Sequence, residues 1–120
     1  VRFLGPVVRS DVPTYLREFD ALVFSSEWEE PFARTVLEAM ASGTGVVVSD
    51  KGGPKDYVTH GENGMVFKAH DYDSFKAAMN SLLVDRNALQ KLGENARASI
   101  GDHTDEKLFE SFTGHIAELV

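Results

Sequence analysis

The chain has 120 residues, with 12 Lys and Arg against 19 Asp and Glu, which gives a formal net charge of −7. Its hydrophobic content of 42% and charged content of 26% are those of a globular domain and exclude disordered and collagen-like chains. The absence of cysteine excludes disulfide frameworks and thiolate metal sites. The acidic charge argues against nucleic acid as a partner. No apolar run approaches the roughly 20 residues of a membrane span, so we expect one soluble domain, cytoplasmic or, at full length, peripheral to the membrane.

Four short runs along the chain have the apolar and β-branched character of strands. They are residues 1–4, Ala21–Phe24, Gly45–Ser49 and Met65–Phe67. The second and third runs have no polar face, which is typical of strands that are covered on both sides.

Helical patterns separate these runs. The first helix is expected to begin at Ser10 or Asp11, because both residue types are favoured N-caps. Its apolar face would consist of Tyr15, Leu16 and Phe19. A second helix is expected to open at Pro31 and to close at Gly43, where glycine readily takes the left-handed conformation.

The chain after Met65–Phe67 is mainly helical. Asp71 and Asp85 are the expected N-caps of two helices, and Asp102 or Thr104 is the expected N-cap of a last one. The inward stripes of these three helices would be Phe75, Met79, Leu82 and Leu83, then Leu89, Leu92 and Ala96, and finally Leu108, Phe112, Ile116 and Leu119.

Strands that alternate with helices predict βαβ units. The expected fold class is therefore α/β, a Rossmann-like three-layer α/β/α arrangement around a mostly parallel sheet of about four strands. In the usual doubly wound strand order, residues 1–4 belong at an edge, separated from Ala21–Phe24 by strands that this chain lacks. We expect either direct pairing of these two runs or an exposed sheet edge that a second copy of the chain covers.

The segment that follows the strand Ala21–Phe24 carries the richest polar pattern. It lies at the carboxyl end of a strand, which is where open α/β sheets bind their ligands. The helix after Pro31 should present free amides near residues 33–36, and such amides attract phosphate together with the helix dipole. Glu30 and Glu38 would flank this anion site, and carboxylates accept hydrogen bonds from hydroxyl groups. The pattern indicates a ligand that has both phosphate and hydroxyl groups.

Several motifs occur in one unbroken order along nearly the whole chain. They are residues 30–32 (EPF), 38–43 (EAMASG), 46–48 (VVV), 52–53 (GG) and 61–67 (GENGMVF). In this order they resemble the E-x7-E region of the large retaining glycosyltransferase family 4, which has the GT-B fold. The resemblance implies a carboxyl-terminal, donor-binding lobe that forms a single domain over residues 1–120. Such a lobe takes part in the transfer of a hexose from a nucleotide-diphosphate sugar to an acceptor.

The resemblance also implies roles for individual residues. Glu30 would be the catalytic residue that contacts the transferred sugar, and Glu38 would hold the ribose hydroxyls. The donor-binding backbone would be that of Phe32, Ala33 and Arg34 along the sugar, Thr35 and Val36 at the diphosphate, and Gly5, Pro6 and Val7 at the nucleobase. The acceptor, a glycan, lipid or small molecule, would bind through a lobe that this chain lacks. Neither a metal ion nor another cofactor is implied.

The chain departs from the family pattern at several positions. Ala33 stands where the family usually has glycine, and Arg34 stands where it usually has an apolar residue. The basic pair that usually grips the diphosphate would precede Val1, so the chain alone is expected to be inactive. The alternative function is a non-catalytic α/β binding or interaction module derived from such a lobe, and the departures at Ala33 and Arg34 favour it.

Two loop features admit two interpretations each. Gly52 and Gly53 either form an ordinary turn or let a substrate approach the backbone closely. Trp28 either packs the loop or offers a stacking surface, and we expect packing because it is the more common role of a loop tryptophan.

Overall fold

A computed structural model of the chain describes residues 1–102. The strands in this range are β1 (Ala21–Phe24), β2 (Gly45–Ser49) and β3 (Met65–Phe67). The helices are α1 (Val12–Glu18), α2 (Arg34–Ala41), α3 (Pro54–Tyr57), α4 (Tyr72–Val84) and α5 (Arg86–Ser99), with 3₁₀ turns at Arg9–Asp11 and Ile100–Asp102. Helices and strands alternate up to β3, as the sequence predicts.

The three strands form one parallel sheet in the order β1-β2-β3. Ala21 pairs with Gly45 where β1 begins, and Val47 pairs with Met65 where β3 begins. Because all the strands run in the same direction, the loops that leave their carboxyl ends meet at one edge of the sheet. The predicted α/β class with a parallel sheet is confirmed, with one strand fewer in the described residues than the sequence predicts.

β2 is the central strand and is buried along its whole length. Val46 and Val48 point to one face, where they join a core cluster that contains Met40 of α2. Val47 points to the other face, where it joins a cluster that contains Leu82 of α4. Successive side chains of a strand point to opposite faces, so three consecutive valines serve two cores. Helices cover both faces, which gives the predicted three layers.

Helix α5 closes the amino edge of the sheet through a close contact between backbones. A Cβ on Gly93 would overlap the carbonyl oxygen of Gly43. Gly43 is left-handed, with a φ of +78°, which confirms the predicted end of the second helix. Leu92 and Ala96 of α5 belong to the two opposite core clusters. One helix therefore joins both faces at the end where β2 begins.

Residues 1–4 form no strand, so the predicted first strand and its direct pairing with β1 are wrong. Val1 and Phe3 are fully exposed. The sheet of the described residues contains β1, β2 and β3 alone. An extended segment without a neighbouring strand has no ladder of hydrogen bonds to join. Covering of the sheet edge by another copy of the chain stays a prediction.

Strand β1 is an edge strand, with β2 as its one neighbour in the sheet of the described residues. The prediction that both its faces are covered is wrong at Val23, which is 40% exposed, whereas Ala21, Leu22 and Phe24 are half-buried. Helix α1, which precedes this edge, is also partly uncovered. Leu16 is buried, but Tyr15 and Phe19 are exposed, so two of the three residues of its predicted apolar face are not in the core.

The N-caps of the two helices after β3 are confirmed. Asp71 Oδ1 accepts a hydrogen bond from the Ser74 amide at 2.9 Å, and Asp85 Oδ1 accepts one from the Asn87 amide at 2.9 Å. Asp11 occupies the N-cap of α1, but its side chain accepts no hydrogen bond from a helix amide. Satisfying a free amide in this way stabilises a helix by about 1 kcal/mol.

The predicted inward stripe of α4 is wrong at one position. Leu83 is 74% exposed, whereas Ala78 and Leu82 are buried. Because successive residues are about 100° apart around a helix, Leu83 lies well away from the face that Leu82 presents to the sheet. Phe75 and Met79 pack at the margin of the same core.

Within residues 1–102, no helix combines the length and the apolar character that a membrane crossing needs. Asp102, one of the two predicted caps of a last helix, ends the 3₁₀ turn Ile100–Asp102. That helix, with its cap at Thr104 and its stripe from Leu108 to Leu119, lies outside the described residues.

Gly93→Ala should destabilise the fold, although alanine is the better helix former. Helix propensity favours alanine by about 1 kcal/mol, but the added methyl group would overlap the Gly43 carbonyl oxygen. Overpacking costs about 1–3 kcal/mol, and the upper part of that range, about 2–3 kcal/mol, applies here because the atom that is met belongs to the backbone. We therefore expect a net loss of about 1–2 kcal/mol in the free energy of unfolding, measured by urea denaturation.

The control is Gly101→Ala, because a Cβ on Gly101 would meet no atom within 4 Å. We expect it to change the free energy of unfolding by less than about 0.5 kcal/mol. A Gly93→Ala variant as stable as the parent chain would show that the backbone contact is not needed.

Candidate functional site

Three loops meet at the carboxyl edge of the sheet, where the sequence predicts the ligand site. They are residues 25–33 after β1, 50–53 after β2 and 68–71 after β3. At the end of β2, Ser49 Oγ donates a hydrogen bond to the Ser26 carbonyl oxygen at 2.6 Å. On the other side, Asp50 Oδ1 accepts one from the Ala69 amide at 2.8 Å. The central loop is therefore bonded to both of its neighbours.

Gly52 and Gly53 let the backbones of the first two loops touch. A Cβ on Gly52 would overlap the backbone of Glu30, and a Cβ on Gly53 would overlap the carbonyl oxygen of Pro31. Gly52 is left-handed, with a φ of +66°, which glycine adopts without strain. The Gly53 amide donates to the Glu30 carbonyl oxygen at 2.7 Å. The missing side chains make room for the chain's own backbone.

Glu29 joins the same two loops through its side chain. Its Oε2 accepts a hydrogen bond from the Gly52 amide at 2.8 Å and lies 3.6 Å from Lys55 Nζ, while its Oε1 lies 3.7 Å from Lys51 Nζ. The Gly52 hydrogen bond, and after it the charge of Lys55, holds the pKa of the Glu29 carboxyl below its usual range. The sequence pattern did not indicate Glu29, because nothing in the sequence separates its role from that of Glu30.

Glu30 is held by its backbone and has an unengaged side chain. Its amide donates to the Trp28 carbonyl oxygen at 2.9 Å, and its carbonyl accepts from Gly53. Glu38 lies in the second turn of α2, the helix that this loop enters. Within residues 1–102, no hydrogen bond or ion pair engages the carboxylate of Glu30 or of Glu38. Both residues are half-buried, so both carboxylates are open to a ligand.

Helix α2 begins at Arg34 and not at Pro31, so its predicted start is wrong. The cause is Ala33, whose φ of +44° and ψ of +61° are left-handed and interrupt the helix. In the described chain, no acceptor bonds the amides of Arg34 and Thr35. The Val36 amide, predicted to be free, donates to the Ala33 carbonyl oxygen at 2.9 Å. Two amides of the first turn therefore stay open to an anion.

The turn before α2 is bonded to helix α3. The Tyr57 hydroxyl donates a hydrogen bond to the Phe32 carbonyl oxygen at 2.9 Å and lies 3.4 Å from the Ala33 carbonyl oxygen. The structure thus places Phe32 and Ala33, two of the predicted site residues, between α3 and the start of α2. The sequence pattern did not indicate this role of Tyr57, because the loop it contacts lies 24 residues earlier in the chain.

The segment predicted to face the nucleobase lies before the first helix. Gly5 and Pro6 are exposed and Val7 is half-buried. Gly5 is left-handed, with a φ of +73°, and a Cβ on it would meet no atom within 4 Å. The nucleobase role of this segment stays a prediction.

Trp28 does not pack the loop, so that prediction is wrong. Trp28 is 72% exposed. Its carbonyl oxygen holds the loop instead, because it accepts hydrogen bonds from Ser26 Oγ at 3.2 Å and from the Glu30 amide at 2.9 Å. The indole ring therefore projects from a loop whose backbone is fixed.

A groove of about 760 Å³ lies near the opposite edge of the sheet, between α5 and the turn before β3. Three of its polar side chains, those of Asn63, Asn95 and Ser99, already have partners in the protein. Asn63 Nδ2 donates to the Tyr57 carbonyl oxygen at 3.0 Å and to Ser99 Oγ at 2.9 Å, and Asn95 Nδ2 donates to the Glu62 carbonyl oxygen at 2.9 Å. These hydrogen bonds anchor the turn to α5, and the carboxyl edge remains the better candidate for a ligand site.

The histidines of the described chain serve local contacts. His60 Nδ1 accepts a hydrogen bond from the Val66 amide at 3.0 Å, on the outer strand β3. His70 Nδ1 lies 3.7 Å from a carboxylate oxygen of Glu27. Within residues 1–102, no three His, Asp and Glu side chains are grouped so that they could hold a metal ion.

Replacing Glu29 should change how the stability of the chain depends on pH. The pKa of Glu29 is lowered in the folded state, so its stabilising contribution is present above its unfolded pKa of about 4.3 and is lost as the pH falls through the folded pKa. We expect the parent chain to lose more stability than Glu29→Gln when urea unfolding is repeated at falling pH below about 5.

The two substitutions at Glu29 separate its contacts. Glu29→Gln keeps an oxygen that can accept from the Gly52 amide, whereas Glu29→Ala removes it, so the alanine variant should be the less stable one at neutral pH. Glu18→Gln, on the exposed surface of α1, is the matched control. Equal acid dependence of Glu29→Gln and the parent chain would show that the Glu29 carboxylate does not stabilise the loop contact.

The sequence matches known proteins along most of its length. Residues 1–99 match the model of the family described as "Glycosyl transferases group 1". The D-inositol 3-phosphate glycosyltransferase of Nocardia farcinica is 33% identical over 99% of this chain and 27% of its own length. Spore coat protein SA of Bacillus subtilis is 33% identical over 81% of the chain and 26% of its own length. The chain thus spans about a quarter of the length of these curated relatives.

Solved structures share the fold. Sucrose-phosphate synthase from Thermosynechococcus elongatus superposes with a TM-score of 0.86 and 26% identity, over 99% of this chain and 30% of its own. Anabaena HepE, solved in complex with UDP-glucose, superposes with a TM-score of 0.79 and 25% identity, over 93% of this chain and 31% of its own. Because the family model covers residues 1–99 of 120, the chain belongs to the group 1 glycosyltransferases.

Proposed function

We propose that this chain is the donor-binding lobe of a retaining glycosyltransferase of family 4, which transfers a hexose from a nucleotide-diphosphate sugar to an acceptor. The observation that carries the proposal is the carboxyl edge, where two unengaged carboxylates, of Glu30 and Glu38, accompany the open amides of Arg34 and Thr35. Hydroxyl groups suit the carboxylates, and phosphate suits a helix N-terminus. Membership of the family and the UDP-glucose complex of Anabaena HepE support the same ligand class.

The proposed residue roles are those that the resemblance to family 4 implies. Glu30 contacts the transferred sugar, the backbone of Phe32 and Ala33 lies along it, and Glu38 holds the ribose hydroxyls. Gly5, Pro6 and Val7 face the nucleobase. Since the Val36 amide already donates to Ala33, the diphosphate binds to the amides of Arg34 and Thr35.

Charge explains how this arrangement can assist transfer. When the bond between the sugar and the diphosphate breaks, negative charge grows on the diphosphate oxygen. The start of α2 carries partial positive charge, its first turn has no acidic residue, and the exposed Arg34 adds a full positive charge there. Donors that are already oriented toward developing charge are among the most effective means of catalysis.

The alternative function is a non-catalytic binding module. It is supported by Ala33 and Arg34, which stand where the family pattern usually has a glycine and an apolar residue. The backbone of Ala33 supports the catalytic proposal. It is left-handed, which is the conformation that glycine adopts most readily, so the turn keeps its backbone shape although the residue is alanine. Binding of UDP by a full-length protein that transfers no sugar from any donor would favour the module.

Substitution of the two glutamates in the full-length protein tests the proposal. Glu38→Ala should raise the donor KM about 10- to 100-fold with a smaller change in kcat, because it removes charged hydrogen bonds to the ribose. Glu30→Gln should lower kcat about 100-fold or more, because its partner is the sugar that moves. The assay is transfer from a panel of nucleotide-diphosphate hexoses.

Glu18→Ala, on the exposed face of α1, is the control and should leave both constants unchanged. The donor-site proposal fails if Glu38→Ala and Glu30→Gln behave like this control. If the anomeric configuration of the product is inverted, the retaining assignment alone fails.

The isolated 120-residue chain should transfer no sugar and should bind UDP weakly. It spans about a quarter of the length of its relatives, and transfer requires that both substrates be positioned and shielded from water. Calorimetric titration with UDP and an assay for released UDP check this expectation. Turnover by the isolated chain at the rate of the full-length protein would contradict it.

A further inference from the structure

Ala33 has a conformation that its own side chain disfavours. Its φ of +44° and ψ of +61° are left-handed, a region in which a Cβ lies too close to the following carbonyl oxygen. The residue is only 5% exposed and immediately precedes the first amides of α2. A strained residue keeps such a conformation only when its surroundings hold it there.

Tyr57 contacts this turn and can hold it in place. Its hydroxyl donates to the Phe32 carbonyl oxygen at 2.9 Å and lies 3.4 Å from the Ala33 carbonyl oxygen. Its ring also packs against that of Phe32, with the ring centres 6.4 Å apart. One side chain thus contacts the peptide groups on both sides of the Ala33 Cα.

The hydroxyl of Tyr57 stays protonated and can donate a hydrogen bond. Burial of the side chain, followed by the charge of Asp56, raises the pKa of Tyr57 to about 12. The phenol therefore keeps its proton throughout the physiological pH range. The hydrogen bonds to Phe32 and Ala33 do not depend on ionisation there.

Tyr57 is itself anchored from other directions. Its carbonyl oxygen accepts a hydrogen bond from Asn63 Nδ2 at 3.0 Å. The helix α3 that carries it begins directly after Gly53, whose amide donates to Glu30 at 2.7 Å. The tyrosine therefore links the turn before α2 to the carboxyl edge of the sheet.

From this geometry we propose that Tyr57 is a positioning residue of the donor site, whose hydroxyl holds the Ala33 turn so that the amides of Arg34 and Thr35 face the diphosphate. The inference rests on the proposed function, because it presumes that a diphosphate binds at these amides. In this role Tyr57 acts through the backbone of Phe32 and Ala33.

A double-mutant cycle in the isolated chain tests whether the Tyr57 hydroxyl stabilises the Ala33 turn. Tyr57→Phe removes the hydroxyl and keeps the ring, and it should raise the unfolding equilibrium constant about fivefold to tenfold. In the background of Ala33→Gly the same change should have less than about half of this effect on a logarithmic scale, because glycine takes the left-handed conformation without help. Tyr72→Phe, at an exposed tyrosine of α4, is the matched control and should change the constant less than about twofold.

Kinetics of the full-length protein test the positioning role. Tyr57→Phe should raise the KM for the nucleotide-diphosphate sugar about 10-fold or more and leave the KM for the acceptor unchanged, because only the donor binds at this turn. Ala33→Gly combined with Tyr57→Phe should recover at least half of the loss on a logarithmic scale. Tyr72→Phe should match the parent protein.

The outcomes separate this inference from the proposed function. If the parent protein neither binds nor uses a nucleotide-diphosphate sugar, the proposed function fails, and the inference fails with it. If the parent protein is active but Tyr57→Phe has the donor KM of Tyr72→Phe, the inference alone is overturned. The same holds if Tyr57→Phe and Ala33→Gly act independently in the unfolding cycle.

Discussion

The contact between two loop backbones at the carboxyl edge is the constraint on which the rest of the site depends. Glu30 and Pro31 lie directly against Gly52 and Gly53, so closely that a single Cβ on either glycine would overlap them. Strand β1 has only one neighbouring strand, and the loop that leaves it would otherwise be anchored weakly. The contact sets the direction in which this loop enters α2, and thereby the place of the helix amides.

The neighbouring residues Glu29 and Glu30 differ in what their carboxylates contact. The Glu29 carboxylate is occupied by the Gly52 amide and two lysines, whereas the Glu30 side chain is engaged by nothing in the described residues. One of two adjacent glutamates therefore supports the neighbouring loop, while the other has a carboxylate without a partner in the described residues. In a chain of net charge −7, the two lysines of this edge lie against Glu29, so the amides of Arg34 and Thr35 remain the groups that are proposed to bind an anion.

The two ends of the sheet are built differently. At the amino edge, Gly93 of α5 lies against the Gly43 backbone, and the residues on either side of it reach both cores. At the carboxyl edge, three loops are joined by hydrogen bonds and by the glycine contact. The closely packed amino end positions the strands, and the loop end keeps polar groups open to a ligand, as is usual for binding sites on α/β folds.

Sequence alone determined the α/β class, the buried β2, the caps at Asp71 and Asp85 and the segment that carries the candidate site, because these depend on local patterns and on motif order. It did not determine that residues 1–4 stay unpaired, that Leu83 is exposed or that Ala33 delays the start of α2. These features depend on which neighbours are present, and a pattern of apolar residues is the same with or without them. The roles of Glu29 and Tyr57 were likewise decided by tertiary structure, because each acts on backbone groups more than 20 residues away, and such groups leave no signal in the sequence.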